Sequence, residues 1–269
     1  MRLLKKIEVA IDEHPSSIYI INEQLEQLFP AHQHKKSQLL LTSGGMAFLN
    51  TKDKQYYIPA RHYVWIPQGI EHNVKFNTRE LTIRNIYFSD EKDLKHPFYE
   101  QIGIYPITGL LWEMMHFAEK WQGHLFPSSW EYEFLLTMKH LLAQTPGQPF
   151  TILLPTTDDK RIQEITGYIQ QHIGDELSLP IVATLFGFSV RSLTRLFQQH
   201  LDISFLQYIK MARIIKAMEL LLQKELNISE IAYEVGYSSI AAFSNTFQQL
   251  VNMRPSDFQQ LDKTPDVQL

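Results

Sequence analysis

Hydrophobic residues follow two different rhythms along this chain. From Ser17 to Ser89 they come in short runs rich in β-branched and aromatic residues: "SIYII", "QLLLTS", "GMAFLN", "QYYIP", "HYVWIP", "HNVKF" and "LTIRNIYF". Breakers such as "SGG", "NTKDK", "PQG" and "NTR" separate them. Evenly spaced short strands with turns between them predict a sandwich or barrel, of which the jelly roll is one form. After about Lys95 the period lengthens to that of a helix. "ITGLLWEMMHFAEKW" and "SWEYEFLLTMKHLLAQ" read as two amphipathic helices, and "TPGQPF" then breaks the chain. Leu110, Leu111, Met114, Met115, Phe117 and Ala118 form an apolar stripe wide enough to cover a sheet and also meet a second subunit.

From "DDKRIQEITGYIQQHI" onward every segment reads as helix, with stops at Gly174, Gly187 and Gly236. "LPTTDD" ends one region and supplies a new N-cap, so the domain boundary is expected near Pro155 to Asp158. The helical half contains a repeat: "LSLPIVATLFGFSVRSLTRLFQQHLDIS" and "LNISEIAYEVGYSSIAAFSNTFQQLVNMR". Each copy has an N-cap (Ser178, Asn227), a short apolar helix, a glycine turn (Gly187, Gly236), an aromatic (Phe188, Tyr237), a serine cap (Ser189, Ser238) and a helix ending in Phe-Gln-Gln. Glycine suits a residue that must turn left-handed between two helices. Asn227 and Glu230 also stand at capping-box spacing. A short helix, a tight turn and a second helix with one free face make a helix-turn-helix, here twice, with a long helix around "FLQYIKMARIIKAMELLLQ" between the copies.

Ile231-Ala232, Gly236-Tyr237, Phe243, Phe247 and Arg254-Pro255, with "MARIIKAMELL" upstream, resemble the C-terminal domain of AraC/XylS-type transcriptional regulators. The resemblance covers the last hundred or so residues. It implies two recognition helices presented to successive major-groove segments of double-stranded DNA. On the first, Leu193, Leu196 and Phe197 fall on the apolar side, which leaves Arg191, Thr194 and Arg195 outward, with Ser192 beside them. Arginine donates two bonds to guanine O6 and N7, worth roughly 1–3 kcal/mol of discrimination. Arg191 and Arg195 lie one helical turn apart and are the expected base readers.

Charge supports this only locally. The whole chain has a net charge of −4, and from Asp158 onward ten Lys/Arg face thirteen Asp/Glu. Between Ser189 and Lys216 the balance reverses: Arg191, Arg195, Lys210, Arg213 and Lys216 face only Asp202. Lys210, Arg213 and Lys216 also fit the wet side of the long helix, where isolated charges do little. The second recognition helix departs from the family pattern, with Ser239, Ile240, Ala241, Asn245, Gln248 and Gln249 and no positive charge from Ser238 to Leu250. It should neutralise few phosphates, and Ile240 and Ala241 suit thymine methyl groups.

The β-rich half brings a second resemblance. "HQH" at His32 and His34, and "PQGIEH" at Pro67, Gly69 and His72, are similar to the two motifs of cupin-type sensor domains, over roughly residues 15–90. In cupins these motifs supply three histidines to one metal. Strand geometry would put His32 and His34 on one face. Metal enzymes of this shape add a carboxylate shortly after the first motif, where this chain has Gln38, a neutral and poor ligand. Three readings of His32, His34 and His72 stay open: ligands for one divalent metal, contacts to an organic effector, or satisfied cavity histidines. Gln38 and Trp65 join them as candidate ligand-binding residues; Tyr63 and Trp65 read equally well as core. His14, His62, His96, His116, His124, His140, His172 and His200 show no second ligand at metal spacing in the sequence.

Absence of cysteine excludes disulfides, thiolate metal sites and cysteine nucleophiles. No phosphate-cradling loop, nucleophile elbow or kinase signature is present. "MRLLKKIEVAIDEH" lacks the apolar core of a signal peptide, and "GLLWEMMHFA" is too short to span a bilayer, so a soluble cytoplasmic protein is expected. The expected architecture is a two-domain α+β chain: a cupin-like β-barrel or jelly-roll effector sensor at 1–95, a helical dimerisation segment and linker at 96–157, and an all-α double helix-turn-helix at 158–269. The expected function is DNA-binding transcriptional regulation modulated by a small effector, with activation expected and repression left open. The expected partners are a second copy of the chain and RNA polymerase, with no membrane and no catalytic residue. Two rivals stand beside it: a metal-dependent cupin enzyme with an appended helical domain, and a ligand-independent regulator whose barrel only dimerises.

Overall fold

The computed structural model describes residues 8–21, 28–43, 45–76, 82–89, 96–144, 149–150 and 152–261. The chain divides into two compact units, one of residues 1–51 and 58–150, the other of 52–57 and 151–269.

The first unit opens with helical residues 8–12 (α1) and continues through β1 (Ile18–Ile21), β2 (Leu28–His32), β3 (Ser37–Ser43), β4 (Met46–Asn50) and the last two residues of β5 (Lys54–Pro59), the rest of which belongs to the second unit. Then follow β6 (His62–Ile66), β7 (His72–Phe76), β8 (Thr82–Phe88), α2 (Pro97–Glu100), β9 (Gly103–Pro106), α3 (Gly109–Phe117), β10 (Gly123–Leu125) and α4 (Trp130–Gln144). The seven runs read as strands are all strands. They pair antiparallel in two sheets, one in the order β10-β1-β8-β3-β6-β9, the other holding β4-β7-β2.

The pleat of the six-stranded sheet decides the rest. With Leu39 opposite Trp65 and Ile86, and Leu41 opposite Tyr63, these residues share one face with Phe88. That face packs against Leu111, Met115 and Ala118 of α3 and its 3₁₀ extension, and against Leu135, Met138 and Leu142 of α4. Thr108 caps α3 by accepting from the Leu111 amide. The predicted stripe on α3 therefore splits: Leu111, Met115 and Ala118 are buried, while Leu110 and Phe117 are exposed at 61% and 48%. The segment expected to be purely helical also donates β9 and β10 to this sheet. Three- and four-residue edge strands are too short to register a period of two against the helices around them.

The second unit contains β11 (Leu153–Pro155), α5 (Lys160–Gln171), α6 (Leu179–Leu185), α7 (Val190–Leu201), α8 (Phe205–Gln223), α9 (Ile228–Glu234), α10 (Ile240–Val251) and α11 (Pro255–Gln259). Residues 52–57 group with it because Lys54, Gln55 and Tyr56 of β5 pair with β11, a long-range pairing that a division made at a single point of the chain does not allow for. Asp159 caps α5. The long helix α8 packs against α9, α10 and α11 and buries Tyr208, Ile214, Ala217, Met218 and Leu221.

Candidate nucleic-acid interface and histidine pocket

Each helix-turn-helix is built by local chemistry. Ser178 and Ser189 cap α6 and α7, and Asn227 with Glu230 forms a complete capping box on α9. Gly187 and Gly236 take φ of +71° and +81° between the paired helices. At Gly236 a Cβ would also lie 2.5 Å from the Arg213 guanidinium and 2.9 Å from the Ile173 carbonyl. The second recognition helix starts one residue later than expected: Ser239, not Ser238, is its N-cap and accepts from the Ala242 amide. With two serines in sequence, only the backbone decides which adopts the extended cap conformation.

On α7, Leu193 and Phe197 are completely buried, whereas Arg191, Thr194 and Arg195 are exposed and Ser192 is half-buried. Ser192 and Thr194 are partly occupied: the Ser192 hydroxyl meets that of Ser189 at 2.8 Å, and Thr194 donates to the Val190 carbonyl at 2.9 Å. On α10, Phe243 and Phe247 point inward, and Ser239, Ile240, Ala241 and Asn245 are exposed. The other cations of the basic stretch differ. Arg213 donates to the Ile173 and Asp175 carbonyls and Lys216 pairs with Glu219, so both serve the fold. Lys210 is exposed.

In the first unit His32, His34 and His72 converge, with their ligand atoms within 4.8 Å of one another. The route is not the one expected. β2 ends at His32, which pairs across the sheet with His72, and His34 lies two residues beyond the strand, just before a bend at Lys35 and Lys36. A backbone contact outside the strand ladder, from the Gly69 amide to the His34 carbonyl at 2.8 Å, holds His34 beside its neighbours. His34 and His72 are buried, as are Gln38 and Asn85 from the neighbouring strands. Burial first of all lowers the pKa of His34, and that of His72 to about 3, so both rings are neutral.

A neutral imidazole has one proton. His34 Nδ1 faces the Lys36 carbonyl and His72 Nδ1 that of Ile70 (2.8 Å), so the proton of each of these rings is used on the backbone, and His32 Nδ1 likewise faces the Pro30 carbonyl (2.9 Å). The Nε2 atoms of His34 and His72 then carry lone pairs, and both lie 3.1 Å from Gln38 Oε1. Gln38 Nε2 donates to Asn85 Oδ1 at 2.7 Å, which turns its oxygen toward the rings. Acceptors thus meet without a proton between them. Two arrangements resolve this: a half-turn of the Gln38 amide that presents its NH₂, or a cation shared by the ring nitrogens and the amide oxygen. The donor set fits a zinc- or iron-class divalent ion, and the backbone carbonyls already orient each ring as ligand histidines require.

Trp65, expected at this site, is not part of it. It lies on the helix-covered face, where its ring neighbours are Phe88, Phe98 and Tyr99. It precedes Ile66, the partner of Gln38, so the pleat turns it to the opposite side. Tyr87, which the sequence did not single out, meets His34 edge-on at 5.0 Å. Two of the histidines without a second ligand at metal spacing in the sequence meet in space, since His14 and His124 stand with ring centres 4.7 Å apart. His62 is buried beside Phe150.

Two family models match this chain: an AraC-like ligand binding domain over residues 14–94 and a helix-turn-helix domain over residues 182–261, together more than half of it. Among curated proteins, the HTH-type transcriptional activator RhaS of Enterobacter sp. (strain 638) is 23% identical over 273 residues, 93% of this chain and 96% of that one. RhaS of Salmonella schwarzengrund is 30% identical over 105 residues, 39% of this chain and 38% of its own. The solved C-terminal domain of AraT, a response regulator from Geobacillus stearothermophilus, is 33% identical, covering 40% of this chain and 91% of that one, with a TM-score of 0.38. The class is a transcription regulator in which a helix-turn-helix unit for DNA shares a chain with a ligand-binding unit. The chain belongs to the AraC family. Among the described residues no helix is long and apolar enough to cross a membrane.

Proposed function

We propose that this protein is an effector-modulated transcriptional activator that reads double-stranded DNA chiefly through Arg191 and Arg195 of α7. The observation that carries the reading is the exposed arginine pair on a helix whose other face is sealed into a helix-turn-helix. Ser192 and Thr194 add polar contacts. Ser239, Ile240, Ala241 and Asn245 of α10 form the second, less charged reading surface. Activation is supported by the similarity to RhaS, a transcriptional activator, and RNA polymerase is the partner on which an activator would act.

Within the first unit, His32, His34, Gln38 and His72 form the effector pocket, and one divalent metal fits them. Such an ion would supply a Lewis-acidic centre for an effector or a structural tie. The chain's own groups hold the ring orientation, keep water out and present the lone pairs. An amide in place of a carboxylate favours sensing over oxygen chemistry, so the protein is read as a regulator and not an enzyme. The half-exposed aromatic group of Phe117, Trp130 and Phe134 between α3 and α4 suits a homodimer interface in a cytoplasmic protein. An effector shifts the regulator only by its difference in affinity for the two states.

Selection of bound sequences from a random duplex library by the full chain, beside the Arg191→Ala/Arg195→Ala variant, tests the reading. Enrichment of a guanine-containing motif that the variant fails to enrich is the expected result. Equal enrichment by both proteins, or none by either, overturns it. Metal content after purification without chelator, compared with His34→Ala/His72→Ala, tests the pocket: about one ion per chain lost in the variant supports a metal-bound effector site.

A further inference from the structure

A second constellation lies apart from the histidine pocket. Glu13 and His14, in the turn between α1 and β1, meet His124 of the edge strand β10, with the ligand atoms of all three within 4.8 Å of one another. Pairing of Tyr19 with His124 across β1 and β10 fixes where that ring stands.

The hydrogen bonds settle its tautomer. Ser17 is fully buried and has one hydroxyl proton, and its Oγ makes three contacts: the His14 carbonyl at 2.8 Å, Lys36 Nζ at 2.9 Å and His124 Nδ1 at 2.8 Å. The carbonyl takes the serine proton, because it can only accept. Lys36 can only donate, so the remaining lone pair of Oγ accepts Nδ1–H of His124. His124 Nε2 is then a bare lone pair. It is shut off from solvent and makes no hydrogen bond of ordinary geometry, the Ala10 carbonyl giving the ring at most a weak backbone contact, and such an atom needs an explanation. The arrangement is that of a metal-ligating histidine, which donates its second ring N–H to a neighbouring acceptor and turns the other nitrogen to the ion. Lys36 sits on the Nδ1 side, held by the same serine, and burial lowers its pKa to about 8.

We propose that Glu13, His14 and His124 bind a divalent ion of the zinc class, at a site separate from His32, His34 and His72. Two imidazoles and one carboxylate form a zinc donor set with one position left for water. Glu13 and His14 are exposed, and their ligand atoms already stand within 4.8 Å of that of His124. Such an ion ties the turn before β1 to β10, adding to the β1–β10 ladder and the Ser17–His124 hydrogen bond.

Zinc titration of the full chain by calorimetry, after purification without a metal-affinity tag and stripping with chelator, tests this. The comparison includes His14→Gln, Glu13→Gln and His32→Ala/His72→Ala. One zinc-binding event should persist in His32→Ala/His72→Ala and disappear in His14→Gln, and Glu13→Gln should weaken it by at least about tenfold. Because Glu13 and His14 are exposed, the metal-free melting temperatures of their variants should match that of the unaltered chain. If the unaltered chain binds no zinc, or His14→Gln binds it as the unaltered chain does, the proposal is overturned. Loss of every binding event in a folded His32→Ala/His72→Ala variant overturns it too.

Discussion

The Arg213 guanidinium stands 5.8 Å from the ring centre of Tyr237 and donates to the Ile173 carbonyl, at the turn of the second helix-turn-helix. Gly236 lies directly against this clamp, and a methyl group there would meet both the guanidinium and the carbonyl. Gly236→Ala therefore combines left-handed strain with displacement of Arg213. A loss of about 2–4 kcal/mol is expected in urea unfolding. At Gly187 the φ is also positive but no atom crowds the missing Cβ, so Gly187→Ala should cost about 1–2 kcal/mol, the conformational part alone. Equal losses at the two positions would refute the role of the clamp.

DNA binding should be unusually tolerant of salt for its family. Arg191 and Arg195 are exposed on α7, while α10 carries no cation. Arg191→Ala and Arg195→Ala should each cost about 1–3 kcal/mol on a selected site and relax its sequence preference. Fluorescence anisotropy over a salt series checks this, and a slope steeper than about four phosphates' worth would point to cations elsewhere.

Lys139 is completely buried on α4, with Nζ 3.1 Å from the Ser89 carbonyl and 5.4–5.6 Å from the ring centres of Trp65, Phe88 and Tyr99. Its stem fills the core and its ammonium rests among aromatic faces. Lys139→Ala should destabilise by about 2–5 kcal/mol through the cavity, and Lys139→Met, which keeps most of the volume, by clearly less. Thermal unfolding followed by near-UV circular dichroism separates the two; an equally stable Lys139→Ala would show that the aromatic cage contributes nothing.

His62 gives the first unit an acid-labile group. Burial lowers its pKa to about 4, against an unfolded value of about 6.5. The folded state holds the ring neutral, so its contribution is complete above about pH 6.5 and is lost as the pH falls toward 4. The upper bound on that loss is about 3 kcal/mol. His62→Phe keeps a ring beside Phe150 and should flatten the fall in melting temperature over this window. An unchanged pH profile would assign the acid sensitivity elsewhere.

What the sequence determined is everything that depends on neighbours along the chain. Period-two runs named seven strands. N-caps at Ser178, Ser189 and Asn227, with glycines at positive φ, specified two helix-turn-helix units, and helical spacing told Leu193 and Phe197 from Arg191 and Arg195. The tertiary structure decided what depends on strand register and order. Alternation alone could not show that Trp65 faces the helices while Gln38 faces the histidines, since both faces of β3 are buried and read as one apolar run. The placing of His34 beyond the end of β2, where the Gly69 amide meets its carbonyl, the short strands β9 and β10, and the meeting of Glu13, His14 and His124 all come from pairings between residues far apart in the chain. Local periodicity carries no record of such pairings, because the free energy that selects them is shared across a whole sheet and its core.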